Sequence, residues 1–219
     1  MPETTMWERL YAKLRQLPEW MKKPVPFVVE ALDVFKRHKF RDVLDLGCGV
    51  GRHCVYLAEH GFDVVGLDVS GSALRTAKEW IREKRLTNAD FILGSMTDIP
   101  FGDFSFDVVI SVSVLHHGMK GQILRAVDEI HRVLRRSGLF LTNLVSVEDR
   151  RYGKGEEVEA GTFMVLEDFE DGRFEELHRF FTREEVVQLL AQFTTVKVAR
   201  LVGGRECQPH HYWKIRAVK

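Results

Sequence analysis

The residues with the clearest chemistry begin at Asp45-Leu46-Gly47-Cys48-Gly49-Val50-Gly51-Arg52. Three glycines at alternate positions permit a tight turn and let a ligand come close to the backbone. The spacing is GxGxG, with Arg52 after Gly51, whereas the dinucleotide fingerprint is GxGxxG with its third glycine inside the helix. Asp68 stands about 20 residues beyond the loop, where a carboxylate accepts hydrogen bonds from ribose hydroxyls. Its charge would repel a ribose phosphate, so a phosphorylated dinucleotide is disfavoured. Downstream, Met96, Thr97 and Asp98, followed by Ile99, Pro100 and Phe101, combine backbone amides, a carboxylate and an apolar wall. That combination suits the amino group and the faces of an adenine.

Other residues carry weaker signals. His116 and His117 titrate near neutrality, so either can act as a general base or orient an acceptor. Packing at the start of the next helix explains them equally well. His116 is expected to continue the inward side of the preceding strand and His117 to point outward. Cys48 has no base near it in sequence and reads as a small apolar filler. Cys207, His210 and His211 lack the second ligand pair of a structural zinc site, so no metal site is expected. The stretch 156–176 holds nine carboxylates against Arg173 alone. It reads as a solvated hairpin, or else as a lid that rejects polyanions.

These residues need elements to hold them. Residues 1–42 show helical spacing (Leu10, Leu14, then Phe27, Val28, Ala31, Leu32 and Phe35), interrupted by Pro18, Pro24 and Pro26. Short apolar runs at 43–46, 63–67, 91–93, 108–112 and 139–145 read as strands. Helical patterns at 52–60, 72–84 and 120–135 lie between them, the last stopped by Gly138. Strands alternating with helices mean βαβ units and a doubly wound, mostly parallel α/β sheet. Nearly continuous hydrophobicity in the strands fits a sheet covered on both faces. Within 146–181, runs at 162–166 and 174–181 flank Asp171-Gly172, predicting an inserted β-hairpin. Thr182 and Glu185 form a capping box that opens a last helix through about residue 192. Strands at 196–202 and 211–218 close the chain. The expected organisation is one domain over 1–219: a helical cap (1–42), a ligand-binding core (43–145), an inserted cap (146–181) and closing elements (182–219).

The ordered motifs DLGCGVGRH, VVGLDVS, GSMTDIPFGDFSFDVVISVSVLHH and RVLRRSG resemble those of S-adenosylmethionine-dependent methyltransferases of the Rossmann-like class. The resemblance implies a seven-stranded sheet whose last strand is antiparallel, and S-adenosyl-L-methionine as cofactor. It implies that Gly47, Gly49 and Gly51, with Cys48 and Arg52 in the same loop, lie under the methionine part, and that Asp45 orients its amino group or the loop. Asp68 would bind the ribose, Val69 would sit beside the adenine, Met96 and Thr97 would flank it, and Asp98 would accept from its amino group. Ser113 would face the methionine part, with His116 and His117 near the entering substrate. N-terminal helices often cover the cofactor in this class, which makes Trp7, Tyr11 and Trp20 candidate acceptor-pocket residues. Arg136-Ser137-Gly138 departs from the usual proline and glycines, which affects only the turn there.

The resemblance leaves the acceptor open. PEWMKKPVPFVVEAL is similar to the tellurite-resistance and thiopurine-type enzymes, which act on small molecules. The run ending in LHH is also similar to enzymes that esterify a wobble uridine of tRNA. A nicotinamide oxidoreductase is disfavoured by the missing third glycine, and an inactive scaffold subunit by the intact loop. Basic clusters at Lys22-Lys23, 36–41 and Arg135-Arg136 keep tRNA as the alternative. The 219 residues carry 32 basic and 32 acidic side chains, which argues against binding driven by a whole-protein positive field. With 45% apolar residues a core is affordable without disulfides or metal. The three cysteines imply no disulfide framework. No apolar run approaches the roughly 20 residues of a membrane span, and the polar N-terminus lacks a signal-peptide core. A cytoplasmic protein without membrane association is expected; oligomeric state is not encoded in any of these features.

Overall fold

Short strands buried on both faces build the sheet in the computed structural model, which describes residues 6–13, 17–169, 172–205 and 208–219. Leu14, Glu170, Asp171 and Cys207 lie outside the described residues. The first five strands are β1 (Asp42–Leu46), β2 (Asp63–Asp68), β3 (Ala89–Leu93), β4 (Phe106–Val112) and β5 (Leu134–Val145). With the closing strands β9 (Thr195–Arg205) and β10 (Gln208–Val218) they form a seven-stranded sheet, ordered β3-β2-β1-β4-β5-β10-β9. The first five pair in parallel, and β10 is antiparallel to both of its neighbours. The order reverses between β1 and β2 on one side and β4 on the other. Ligands of open α/β sheets bind at such a switch point, beyond the carboxyl ends of the strands.

The two faces of the sheet bury separate layers. Val43 of β1, with Leu139 and Leu141 of β5, packs under α3 (Pro26–Arg37), α4 (Arg52–Glu59) and α5 (Gly71–Glu83). Leu44 and Leu46, with Phe140 and Leu144, pack under α6 (Lys120–Val133) and α7 (Arg183–Leu189). Both stripes follow from the alternation of side chains along a pleated strand. Two shorter helices, α1 (Met6–Lys13) and α2 (Glu19–Lys22), precede this frame. Among the described residues no helix is long and apolar enough to cross a membrane.

Three expectations change. The helix predicted to run to residue 135 ends at Val133, and Leu134 already pairs with Phe106 of β4. Ser137 takes a positive φ of 61°, and a side chain on Gly138 would meet the Arg135 carbonyl at 2.7 Å. This irregular strand start, and not a helix cap, explains the glycine. The insertion is a three-stranded antiparallel sheet, ordered β6 (Glu156–Glu159), β7 (Thr162–Phe169) and β8 (Gly172–Arg179). Its first strand escapes detection because Glu156, Glu157 and Glu159 carry no apolar alternation. The last helix stops at Leu189, short of residue 192.

Val145, Phe163, Val165 and Phe180 form the insertion's own small core against the main sheet. Phe181 N–H donates to Val145, and Val147 N–H donates to Phe181, which stitches the end of the insertion to the end of β5. Thr182 then caps α7: its hydroxyl accepts from Glu185 N–H at 3.1 Å, and Glu185 accepts from Thr182 N–H at 2.8 Å. Thr182→Ala is expected to lower stability by about 1 kcal/mol, measured by chemical denaturation.

Candidate active site

Four backbone N–H groups of the glycine loop are consumed inside the protein. Gly47 and Cys48 both donate to the Leu67 carbonyl, at 2.7 and 3.1 Å, and Gly51 donates to Cys48 at 3.0 Å. Gly49 donates to Asp68 Oδ2 at 2.7 Å, and Ser70 donates to Asp68 Oδ1 at 2.9 Å. Asp68 is therefore a clasp between the loop after β1 and the start of α5. Burial raises its carboxyl above the usual range, and the bonds from Ser70 and Gly49 oppose that shift. Glycine is required at 47: φ is 74°, and a Cβ would lie 2.2 Å from Val114 Cγ2.

Asp45 is 1% exposed beneath the loop. Its Oδ2 accepts from Cys54 Sγ at 3.3 Å and stands 3.8 Å from His53 Nδ1, while Oδ1 has no partner. Burial pushes this carboxyl up to about 7. Cys48 is buried, and its thiol is pushed up to about 11, so it is poorly suited to be a nucleophile. Arg52 donates to the Trp20 carbonyl at 3.4 Å, tying α2 to the loop.

The remaining predicted residues divide into those near the loop and those apart from it. Val69 is 40% exposed at the sheet edge. Ser95 and Thr97 share a hydroxyl contact of 2.9 Å, and Thr97 O accepts from Arg125 at 2.7 Å. Met96 packs against Gly118, and Asp98 is exposed with its N–H closing a turn onto Ser95. Ser113 holds a positive φ of 58° because Asn143 clamps it. Asn143 Oδ1 accepts from Ser113 N–H at 2.8 Å, and Asn143 Nδ2 donates to Ser113 Oγ at 3.3 Å. Asn143 was not singled out from sequence; its signal is a polar side chain in a strand that is otherwise buried and largely apolar.

Helix α1 closes the open side of the loop. Glu8 Oε2 accepts from Ser70 Oγ at 2.6 Å and from Ser72 N–H at 3.0 Å, and Oε1 accepts from Ser72 Oγ at 2.5 Å. The two serine hydroxyls and the Ser72 amide hold this carboxyl down at about 2. So anchored, α1 sets the Tyr11 hydroxyl where a Cβ on Gly49 would be only 2.8 Å from it. Burial raises the Tyr11 phenol well above its ordinary value. Trp7 meets His117 edge-on at 5.0 Å. Trp20 does not join Trp7 and Tyr11: its side chain is 56% exposed, and only its carbonyl turns towards the loop.

His116 and His117 lie in a 3-10 turn, Leu115–His117, after β4. The outward orientation expected for His117 is not observed. Both rings turn inward because the inserted sheet covers them, and His117 Nδ1 lies 3.0 Å from the Leu177 carbonyl of β8. The insertion also brings His178 and Glu176, neither of which was picked out individually as a site residue. Glu176 Oε1 stands 3.1 Å from His117 Nδ1, and Arg151 Nη1 stands 3.2 Å from His178 Nε2. Arg151 is itself paired with Asp149 and Glu167, at 2.7 and 2.8 Å. Burial lowers His117 to about 4 and His178 to about 2, and raises Glu176 to about 8. At neutral pH the imidazoles are therefore uncharged. The acidic stretch is not simply a solvated hairpin: Glu176 is buried, while Glu156, Glu157 and Glu175 are exposed. His210 Nδ1 lies 3.3 Å from Asp149 Oδ2.

Comparison with known proteins agrees with this fold. The model of a methyltransferase domain matches residues 43–138. An uncharacterized methyltransferase of Synechocystis is 41% identical over 98 residues, covering 45% of this chain and 44% of that protein. The 2-heptyl-1-hydroxyquinolin-4(1H)-one methyltransferase of Mycobacteroides abscessus is 33% identical over 105 residues, covering 48% and 45%. The chain thus spans less than half the length of these curated relatives. The crystal structure of the PH0226 protein from Pyrococcus horikoshii superposes with a TM-score of 0.68 at 26% identity, covering 88% of this chain and 89% of that one.

Two measurements probe this arrangement. Gly47→Ala should destabilise the protein by at least about 1 kcal/mol more than Gly61→Ala. Both positions have positive φ, but only Gly47 faces Val114, while Gly61 faces open space; thermal denaturation of the pair checks this. Glu8 is depressed from 4.5 to about 2 on folding, so its anchoring of α1 is complete above about pH 4.5 and is lost as pH falls towards 2. The stability difference between wild type and Glu8→Gln should shrink over that window.

Proposed function

We propose that this chain, whose fold is that of the Rossmann-like S-adenosylmethionine-dependent methyltransferases, transfers a methyl group to a small-molecule acceptor by in-line displacement. One observation carries the reading. The N–H groups of Gly47, Cys48, Gly49 and Gly51 are spent internally, and the loop is flanked by the carboxylates of Asp45 and Asp68. A pyrophosphate held at such a loop uses free N–H donors, and these four are taken. A phosphate-free nucleoside bearing a positive charge fits what is left.

S-adenosylmethionine, when bound, supplies a methyl group on a positively charged sulfur, which is already an activated leaving group. Asp68 would take the ribose hydroxyls on the lone pairs left free by Gly49 and Ser70. Asp45, with Oδ1 unpartnered, would hold the loop or the amino group at its edge. Val69, Met96 and Thr97 would flank the adenine, and the exposed Asp98 would accept from its amino group. Ser113, clamped by Asn143, would line the methionine part, and Cys48 and Arg52 would shape the loop beside it. Trp7 and Tyr11 exclude water from the loop's open side, which favours bringing the acceptor atom to within about 3–3.5 Å of the methyl group. Neutral His117, with Glu176 beside it, would line the way in for the acceptor.

A small acceptor is supported by the name of the Mycobacteroides relative and by the exposed acid of the inserted sheet, which disfavours a polyanion such as tRNA. Asp68→Ala is expected to weaken binding of S-adenosylhomocysteine by about 1–3 kcal/mol, read by calorimetry; unchanged affinity would remove the assignment. Incubation with a panel of small hydroxyl- and amine-bearing heteroaromatics should release S-adenosylhomocysteine. Turnover confined to tRNA, with steep loss on added salt, would overturn the small-acceptor reading.

A further inference from the structure

The turn after β4 and strand β8 of the insertion bring three histidines together. One ring nitrogen from each of His116, His117 and His178 lies within 4.8 Å of the other two. The ring centroids are 4.3 Å apart for His116 and His117, 4.8 Å for His117 and His178, and 5.8 Å for His116 and His178. His116 and His178 are 2% and 1% exposed, and Glu176, next to them, is 5% exposed. His116 Nδ1, buried there, has no hydrogen-bond partner, while Glu176 Oε1 has only the 3.1 Å approach of His117 Nδ1. Buried polar atoms are ordinarily satisfied, so an orphan among clustered imidazoles calls for a missing partner.

We propose that His116, His117 and His178 are the protein ligands of a late first-row divalent metal ion of the zinc type, with Glu176 as the adjacent carboxylate that balances its charge. Three neutral imidazoles are the donor set that zinc, cobalt and nickel prefer, whereas magnesium and calcium favour oxygen. Tetrahedral ligands around zinc stand about 3.4 Å apart, so small side-chain rotations close the observed spacing. The local charge permits a cation. Arg151 Nη1 lies 3.2 Å from His178 Nε2 and must turn aside for that nitrogen to hold an ion; Asp149 and Glu167 already pair with the guanidinium and balance its charge. The Leu177 carbonyl at His117 Nδ1 and the Glu176 carbonyl 3.4 Å from His178 Nδ1 hold the rings from outside, as partners of metal-bound imidazoles do. Three protein ligands leave a fourth position open, the pattern of catalytic and not of structural zinc. Use of that position to polarise an acceptor oxygen rests on the methyl-transfer reading; the site itself does not.

The full-length chain, stripped with chelator and titrated with Zn²⁺, should bind one ion per chain by elemental analysis after dialysis. The Co²⁺ form should show the visible absorption of a four-coordinate site. His178→Gln and His117→Gln should abolish stoichiometric binding, Glu176→Gln should weaken it roughly tenfold or more, and the exposed His60→Gln should leave it intact. No Zn²⁺ or Co²⁺ bound by the wild-type chain, whose folding is checked by circular dichroism, would overturn the site. So would stoichiometric binding that persists in the His117→Gln/His178→Gln double variant. S-adenosylhomocysteine binding, measured on the same samples, separates the two proposals. Metal without that ligand upholds the site while counting against methyl transfer, and the ligand without metal overturns the site while leaving methyl transfer standing.

Discussion

A single buried carboxylate organises the mouth of this protein. Asp68 takes the Gly49 N–H on one oxygen and the Ser70 N–H on the other, joining the loop after β1 to the first turn of α5. From Ser70 the chain of contacts passes through Glu8 to α1, and from α1 through Trp7 to His117. The loop, the helix that covers it and the histidine turn are therefore parts of one connected unit. Burying the carboxylate is unfavourable by itself. The two backbone N–H bonds compensate and would otherwise be orphaned donors at a strand-to-helix turn.

The inserted sheet is the second organising feature. It covers the turn that holds His116 and His117, so rings that a strand-end position would leave at the surface become buried and neutral. Its acid is sorted by depth. Glu156, Glu157 and Glu175 stay in water, Glu167 pairs with Arg151, and Glu176 is taken inside against His117 and His178. The equality of 32 basic and 32 acidic side chains is thus an average. Near the histidines the balance is struck locally, with Arg151 paired to Asp149 and Glu167.

Much of the frame was legible because local rules decide it. The strand positions followed from short apolar runs, α4 and α5 from three-to-four spacing, and the start of α7 from the Thr182–Glu185 box. All of these depend on residues a few positions apart. Misreadings came where long-range contacts decide. Leu134 becomes strand and not helix because Phe106 pairs with it, and β6 forms because β7 offers it an edge despite its acidic sequence. His117 turns inward because Leu177 and Glu176, some 60 residues away, meet it.

The amino-acid sequence by itself determined the doubly wound sheet and the glycine loop with Asp68 at the end of the following strand. These depend on period, on backbone freedom at glycine and on a carboxylate at one strand end. Tertiary structure alone decided that Asp68 is already bonded to the loop, that Asn143 clamps Ser113, that Glu8 fastens α1 over Gly49, and that three histidines converge with Glu176. Each of these joins side chains that are distant in sequence. Their burial and proximity exist only once the sheet, its N-terminal cover and the insertion have packed together.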